Sequence, residues 1–245
     1  MTNTNDIKWK RTVAEGAAIV ISILLAFWID TWWEDRKEAQ LEVVYLHELQ
    51  EDFEQNKSRL EDQIAEFEET ARSMFVLQEQ SALDSPSMSV SELNENFSQI
   101  INMSGFFPVN RAYANMTGSG DLKLIRSRPL KNALAEYYAA AQLTVLVQKT
   151  HEMELVQIYE PYIIANLDYA AVGISRVDDF PLPPPIDEAS ILKVIATREF
   201  WNILIQKSVI STDLIDQFRQ MLARTDNILR LLDSANREIT LENSS

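Results

Sequence analysis

The feature that most limits what this chain can fold into lies near its start. Residues 17–29 read Ala-Ala-Ile-Val-Ile-Ser-Ile-Leu-Leu-Ala-Phe-Trp-Ile, 13 residues without a charge. Widened to residues 12–33, the segment is about 33 Å long as a helix, against a hydrocarbon core of roughly 30 Å. Lys8, Lys10 and Arg11 precede it, Trp9 stands before it, and Trp28, Trp32 and Trp33 close it. That is the pattern of an interfacial tryptophan belt on a membrane helix. A buried core helix seldom has basic flanks and clustered Trp. A cleaved signal peptide needs small residues at its cleavage site, and Ala26-Phe27-Trp28-Ile29-Asp30 supplies none of that pattern. An interfacial helix is apolar on one face, whereas this stretch is apolar on all. The expectation is one uncleaved transmembrane helix over residues 12–33 with membrane lipid around it.

Two acids fall inside the span. Glu15 lies about a turn from its start and Asp30 near its end. As intramembrane acids they would line a pore or pair with another helix. As end residues, Glu15 pairs with Arg11 at i,i+4 and Asp30 reaches water beside the Trp belt. Three basic residues precede the span and Arg36 and Lys37 follow it closely, so the positive-inside rule favours a cytoplasmic tail, residues 1–11. The domain of residues 34–245 then lies outside, periplasmic at a bacterial inner membrane.

From Ala17 through Ser85 no Gly or Pro occurs. Leu46, Leu49, Phe53, Asn56, Leu60, Ile64, Phe67, Ala71 and Met74 recur at three- and four-residue steps, a helical stripe to about Gln80. Asn56 in that stripe is read as a tolerated packing gap, with a register-fixing role as the alternative. Ser89 and Glu92 form a capping box for a short helix from Val90 to Met103. A second covers Asn110 to Thr117 and stops at Gly118-Ser119-Gly120. Ser127 and Pro129 start a long helix to about Asp168 that Pro161 should interrupt. A polyproline-like connector follows through Pro181-Leu182-Pro183-Pro184-Pro185. Asp187 caps a short helix, and a last long helix begins near Thr197.

The fold expected is therefore all-α. One transmembrane helix continues into an elongated antiparallel bundle of three long helices plus short ones. In that up-down-up order residues 169–185 return to the membrane, with Ala170, Ala171, Val172, Ile174, Phe180 and Leu182 facing headgroups or a partner. The helices between Val90 and Thr117 form the distal tip.

Chemistry is sparse. There is no Cys, and the two histidines, His47 and His151, lack the second His of an H-E-x-x-H pair. The net charge of −15 disfavours nucleic acid. No P-loop, nucleophile elbow or dinucleotide fingerprint occurs. The acid-rich run from Glu34 to Glu69 lacks the spacing of a calcium loop and reads as a solvated face. No catalytic residue, cofactor or metal site is assigned. Tyr137, Tyr138, Tyr159 and Trp201 would be bundle core, or the walls of an inter-helix pocket. Residues 111–125 are the most distinctive stretch outside the span. Arg111, Tyr113, Asn115, Gly118 and Gly120 would form a locked turn, or a partner-docking tip.

A resemblance rests on two stretches. Glu15-Gly16 and the run from Ala26 to Lys37 (Ala-Phe-Trp-Ile-Asp-Thr-Trp-Trp-Glu-Asp-Arg-Lys) resemble the opening of an uncharacterised bacterial family, a domain of unknown function. Its members are single-pass membrane proteins whose first helix ends in an Asn-Asn-Trp-Asn-Glu-like stretch. Tyr113 to Ile125, with Leu130 to Tyr138 after it, is similar to that family's Ser-Gly-x-Leu-x-Leu-Ile segment and following Leu-x-x-Ala-Leu-x-x-Tyr-Tyr helix. Here Asp30-Thr31-Trp32-Trp33 replaces the Asn-rich run, and Glu15 precedes Gly16 where the family has Gly before Glu. The resemblance implies location and architecture, and no catalytic residues. The function expected is that of a membrane-anchored interaction protein, an accessory or scaffold subunit of a homo- or hetero-oligomeric complex. A periplasmic ligand-sensing module and an oligomeric channel built from Glu15-bearing helices are the alternatives.

Overall fold

The computed structural model describes residues 4–84, 86–173, 184 and 186–242. All of its regular structure is helical, and no strand occurs among these residues. Helix α1, Thr4–Ser81, runs 78 residues without a break. Its apolar stretch is long and apolar enough to cross a membrane, and none of it is buried within the protein. Trp9, Trp28, Trp32 and Trp33 are all exposed there, as are Glu15 and Asp30. The partner assigned to Glu15, Arg11, has its side chain outside the described residues.

The short helices are α2, Val90–Ser98, α3, Arg111–Ser119, and α7, Glu188–Ile195. Their ends follow local chemistry. Ser89 and Glu92 close the expected capping box on α2, and the Asp187 side chain accepts from the Ser190 N–H to start α7. Gly120 ends α3 at φ +80°, a left-handed turn that suits a residue without Cβ.

Helix α4, Arg128–Glu154, starts at the Ser127 cap and ends in a π turn, Leu155–Tyr159. Helices α5, Glu160–Asn166, and α6, Tyr169–Gly173, follow. Pro161, without an N–H, sits in the first turn of α5, so the interruption expected at this proline falls just upstream, as one wide turn. Helix α8, Arg198–Glu242, is the last long element.

Side-chain contacts fix the directions. Helix α8 runs antiparallel to α1: Gln78 bonds Ser208, Glu68 pairs with Arg219 at 2.7 Å, and Lys57 with Asp226 at 2.8 Å. Helix α4 runs parallel to α1, with Arg126 by Glu42, Tyr137 against Phe53 and His151 against Phe67. This corrects the antiparallel order expected of three long helices. The chain comes back along α1 through an extended strap, residues 102–110, from the level of Thr70 to that of Asn56, and residues 111–126 carry it on to Glu42, so α4 starts at the base. Helix α2 stops at Ser98, short of the Met103 expected, and Pro108 biases Phe107 toward extended backbone within the strap.

Two apolar cores result. The larger joins the stripe of α1 (Leu46, Leu49, Phe53, Leu60, Phe67) to α4 and α8. The second, at the far end, joins Met74 and Leu77 to Leu93, Phe97, Ile163, Val172 and Phe200. Val172 is thus buried about 40 residues up α1 from Trp33, roughly 60 Å away. The expected return of this segment to the membrane is corrected for Ala170, Ala171 and Val172, because α6 packs on α2. Ile174, Phe180 and Leu182, and all of the polyproline stretch but Pro184, lie outside the described residues.

Candidate functional site

Three buried polar side chains, Asn56, Gln148 and Lys207, converge on the strap. An extended segment packed against helices must find partners for its peptide groups. Each long helix supplies one such side chain. The Asn56 amide of α1 donates to the Val109 carbonyl at 2.9 Å and accepts its N–H at 2.6 Å. The Gln148 amide of α4 donates to the Phe106 carbonyl at 2.9 Å and accepts the Phe106 N–H. Lys207 of α8 donates to the Asn102 carbonyl at 3.0 Å. Asn102 itself donates to Glu66 and Thr70, and Phe106 packs edge-on against Phe218. Gly105 makes the close approach possible, since a Cβ there would lie 2.9 Å from the Gln148 Oε1. Asn56 is therefore neither a gap nor a helix-to-helix register pin, because its partner is strap backbone.

Lys207 is completely buried and has three neighbours for its three protons. Besides Asn102, its Nζ lies 2.8 Å from the His151 Nε2 and 5.3 Å from the centre of the Tyr159 ring. With Lys207 donating, His151 accepts at Nε2 and carries its own proton on Nδ1. Burial pushes Lys207 down to about 7, against a smaller upward pull from Glu154. Burial first, and the adjacent ammonium second, push His151 down to about 4. Tyr159, set by the π turn, is pushed up by burial and donates to Glu154 at 3.1 Å. Of the two nitrogens Lys207 is the more basic, so His151 is the neutral acceptor of the pair. A cavity of about 270 Å3 opens beside it, lined by Ser104, Gly105, Gln148 and His151 among others. His151 reaches that cavity and Lys207 does not, so the amine is enclosed as a tie for the strap. Among the described residues no group of three His, Asp or Glu is placed to hold a metal ion.

The stretch from Arg111 to Ile125 sits at the base of the bundle, a correction to the distal tip expected for it. The nearly buried Asp52 of α1 takes Arg111 through Nε and Nη2 on one oxygen, at 3.0 and 2.8 Å. Its other oxygen accepts the Ala112 N–H at 2.9 Å and so caps α3 from outside, where Asn110 makes no cap bond. The nearly buried Glu42 likewise takes the Arg126 N–H and guanidinium. Ser119 first, and Tyr45 second, donate to Asp121 and hold that carboxyl below its usual range. Gly118 and Asn115 are exposed beside this lock. A second cavity, about 660 Å3, lies at the same end between Trp32, Arg36, Glu42, Arg126 and Ile239.

Two residue groups that the sequence kept apart meet here. Tyr113 stacks on Tyr138 at 4.2 Å, and Tyr138 meets Tyr137 edge-on at 5.2 Å. Tyr159 belongs to the other core, near which Trp201 is half-buried. The four residues proposed for one pocket therefore do not share a cavity. Tyr137 is pushed up to about 12 by burial, as a packed core phenol is.

Asn102, Gln148 and Lys207 escaped the sequence reading, although their positions held a signal. Phe200, Leu204, Lys207, Ser211, Leu214 and Phe218 follow one another at four and three residues, and Lys207 stands inside that buried row. Gln148 stands likewise between Thr144 and His151. In both rows a buried amide or amine serves strap backbone. Comparison with protein-family models, curated proteins and solved structures finds no match to this chain.

Proposed function

We propose that the protein is a membrane-anchored structural and interaction module, a scaffold or accessory subunit of an oligomeric membrane complex. One observation carries the reading. The fully exposed apolar segment and the longest helix of the bundle are a single unbroken element, α1. A bundle built on such a rod stands at a set height and rotation over its anchor, and that is useful for holding partners and of little use for soluble chemistry. The polar side chains support it, since they are engaged in tying the strap and the base. In this reading residues 12–33 span a bacterial inner membrane, the tail is cytoplasmic and the bundle periplasmic.

The test is purification of the tagged full-length protein from native membranes in mild detergent, with stoichiometry read by mass. Self-association or a stoichiometric foreign partner is expected. A protein that stays monomeric, with no partner recovered, would overturn the reading.

A further inference from the structure

Helix α4 is apolar on two opposite faces. Its inner face carries Leu134, Tyr137 and Ala141 into the core. Its outer face carries Ala139, Leu143, Leu146, Thr150 and Met153, all exposed, at steps of four, three, four and three residues. That is an a/d seam of the coiled-coil kind. Leu143, Leu146 and Met153 are 55%, 60% and 54% exposed. No charge interrupts the helix from Tyr137 to Gln148, and the hydroxyl at Thr150 is satisfied within its own helix. A solvated helix face does not read this way.

Lipid cannot cover this face. Tyr137 packs level with Phe53 and His151 level with Phe67. The seam therefore begins some 20 residues along α1 from Trp33, about 30 Å beyond the apolar segment.

We infer that the occupant is the α4 seam of a second copy, packed parallel and in register. The inference rests on the anchored reading above. Two copies inserted in one membrane have α4 pointing the same way, so a two-fold axis along the membrane normal sets the two seams side by side. In that register Lys149 flanks the seam at a g position and Glu154 of the other copy at the facing e position. The two-fold makes this pairing twice, with opposite charges each time. The other flanks, Ala140, Gln142 and Val147, are small or uncharged and allow close approach.

The chain contains no cysteine, so an introduced one reports alone. Leu146→Cys and Thr150→Cys, each in the full chain reconstituted into lipid vesicles and mildly oxidised, should give disulfide-linked dimers. Glu61→Cys on α1 and Asp213→Cys on α8, both exposed, should not. Leu146→Glu should raise the dimer dissociation constant about a hundredfold, since each copy loses a buried leucine and gains a carboxylate. Lys149→Glu should weaken the dimer less, and more so at low salt. A dimer that cross-links at the control sites and not at the seam would overturn the inference and leave the scaffold reading standing. So would a photo-cross-linker at Leu146 that captures a different protein in native membranes. A monomer with no captured partner would remove both.

Discussion

Replacing Asn56 with leucine separates two accounts by sign. By pattern alone, position 56 is a polar break in an apolar stripe, and leucine would complete the stripe and stabilise the bundle. In the structure Asn56 is fully buried and holds both peptide groups of Val109. Leucine leaves that N–H without a partner. The carbonyl keeps only the Tyr138 hydroxyl at 3.4 Å. An unpaired buried group costs about 1–3 kcal/mol. The strap is half-buried here, and leucine adds some apolar contact, so the net loss should be about 2 kcal/mol. For a domain of this size that lowers Tm by roughly 4–8 °C. The assay is thermal unfolding of the full-length protein in detergent micelles, followed by near-UV circular dichroism. Asn56→Ala should be destabilised too, which excludes overpacking by leucine as the cause. An unchanged or higher Tm for the leucine variant would refute the strap account.

Four further outcomes follow from the same geometry. Lys207 has its pKa lowered in the fold from 10.5 to about 7, so between those values the unfolded chain binds more protons and stability rises with pH. Urea unfolding from pH 7 to 9 should show that rise, and Lys207→Met should flatten it. Asp52→Ala should lose about 3 kcal/mol, because it unties Arg111 and the first turn of α3 together; limited proteolysis within residues 111–125 should accelerate. Gly105→Ala forces the pinned Gln148 amide aside and should cost about 1–3 kcal/mol in chemical denaturation. Gly120→Ala meets open space yet sits at φ +80°, so it should cost about 1 kcal/mol in the same assay.

The legible parts of this fold were local ones. The α1 stripe, the Ser89–Glu92 box, the Ser127 and Asp187 caps and the glycine stop at Gly120 depend on residues a few positions apart, and the structure has them. The direction of α4 depends on something periodicity does not carry. Residues 102–110 have no repeat of their own, yet they take the chain back along the bundle and reverse the expected order. With them, Arg111 to Ile125 move from the tip to the base. Their place is encoded far away in sequence, by Asn56, Gln148 and Lys207, one on each long helix. Such residues look like flaws in a stripe until the backbone they serve is known. The same distance effect hid Asp52, which reads as one acid among many in an acidic run but caps α3 across the bundle.

The most direct test of the account measures height above the membrane. Full-length protein is reconstituted into vesicles with headgroup-labelled lipid, and energy transfer is read to a donor on Asn115→Cys or Asn96→Cys. Asn115 lies on α3, whose start is held to α1 by Asp52, about 28 Å along the helix from Trp33. Asn96 lies on α2, which packs near Met74, about 60 Å from the same point. Strong transfer from position 115 and weak transfer from 96 is the result predicted. The reverse order would contradict the fold, and no transfer from either site would contradict the anchor.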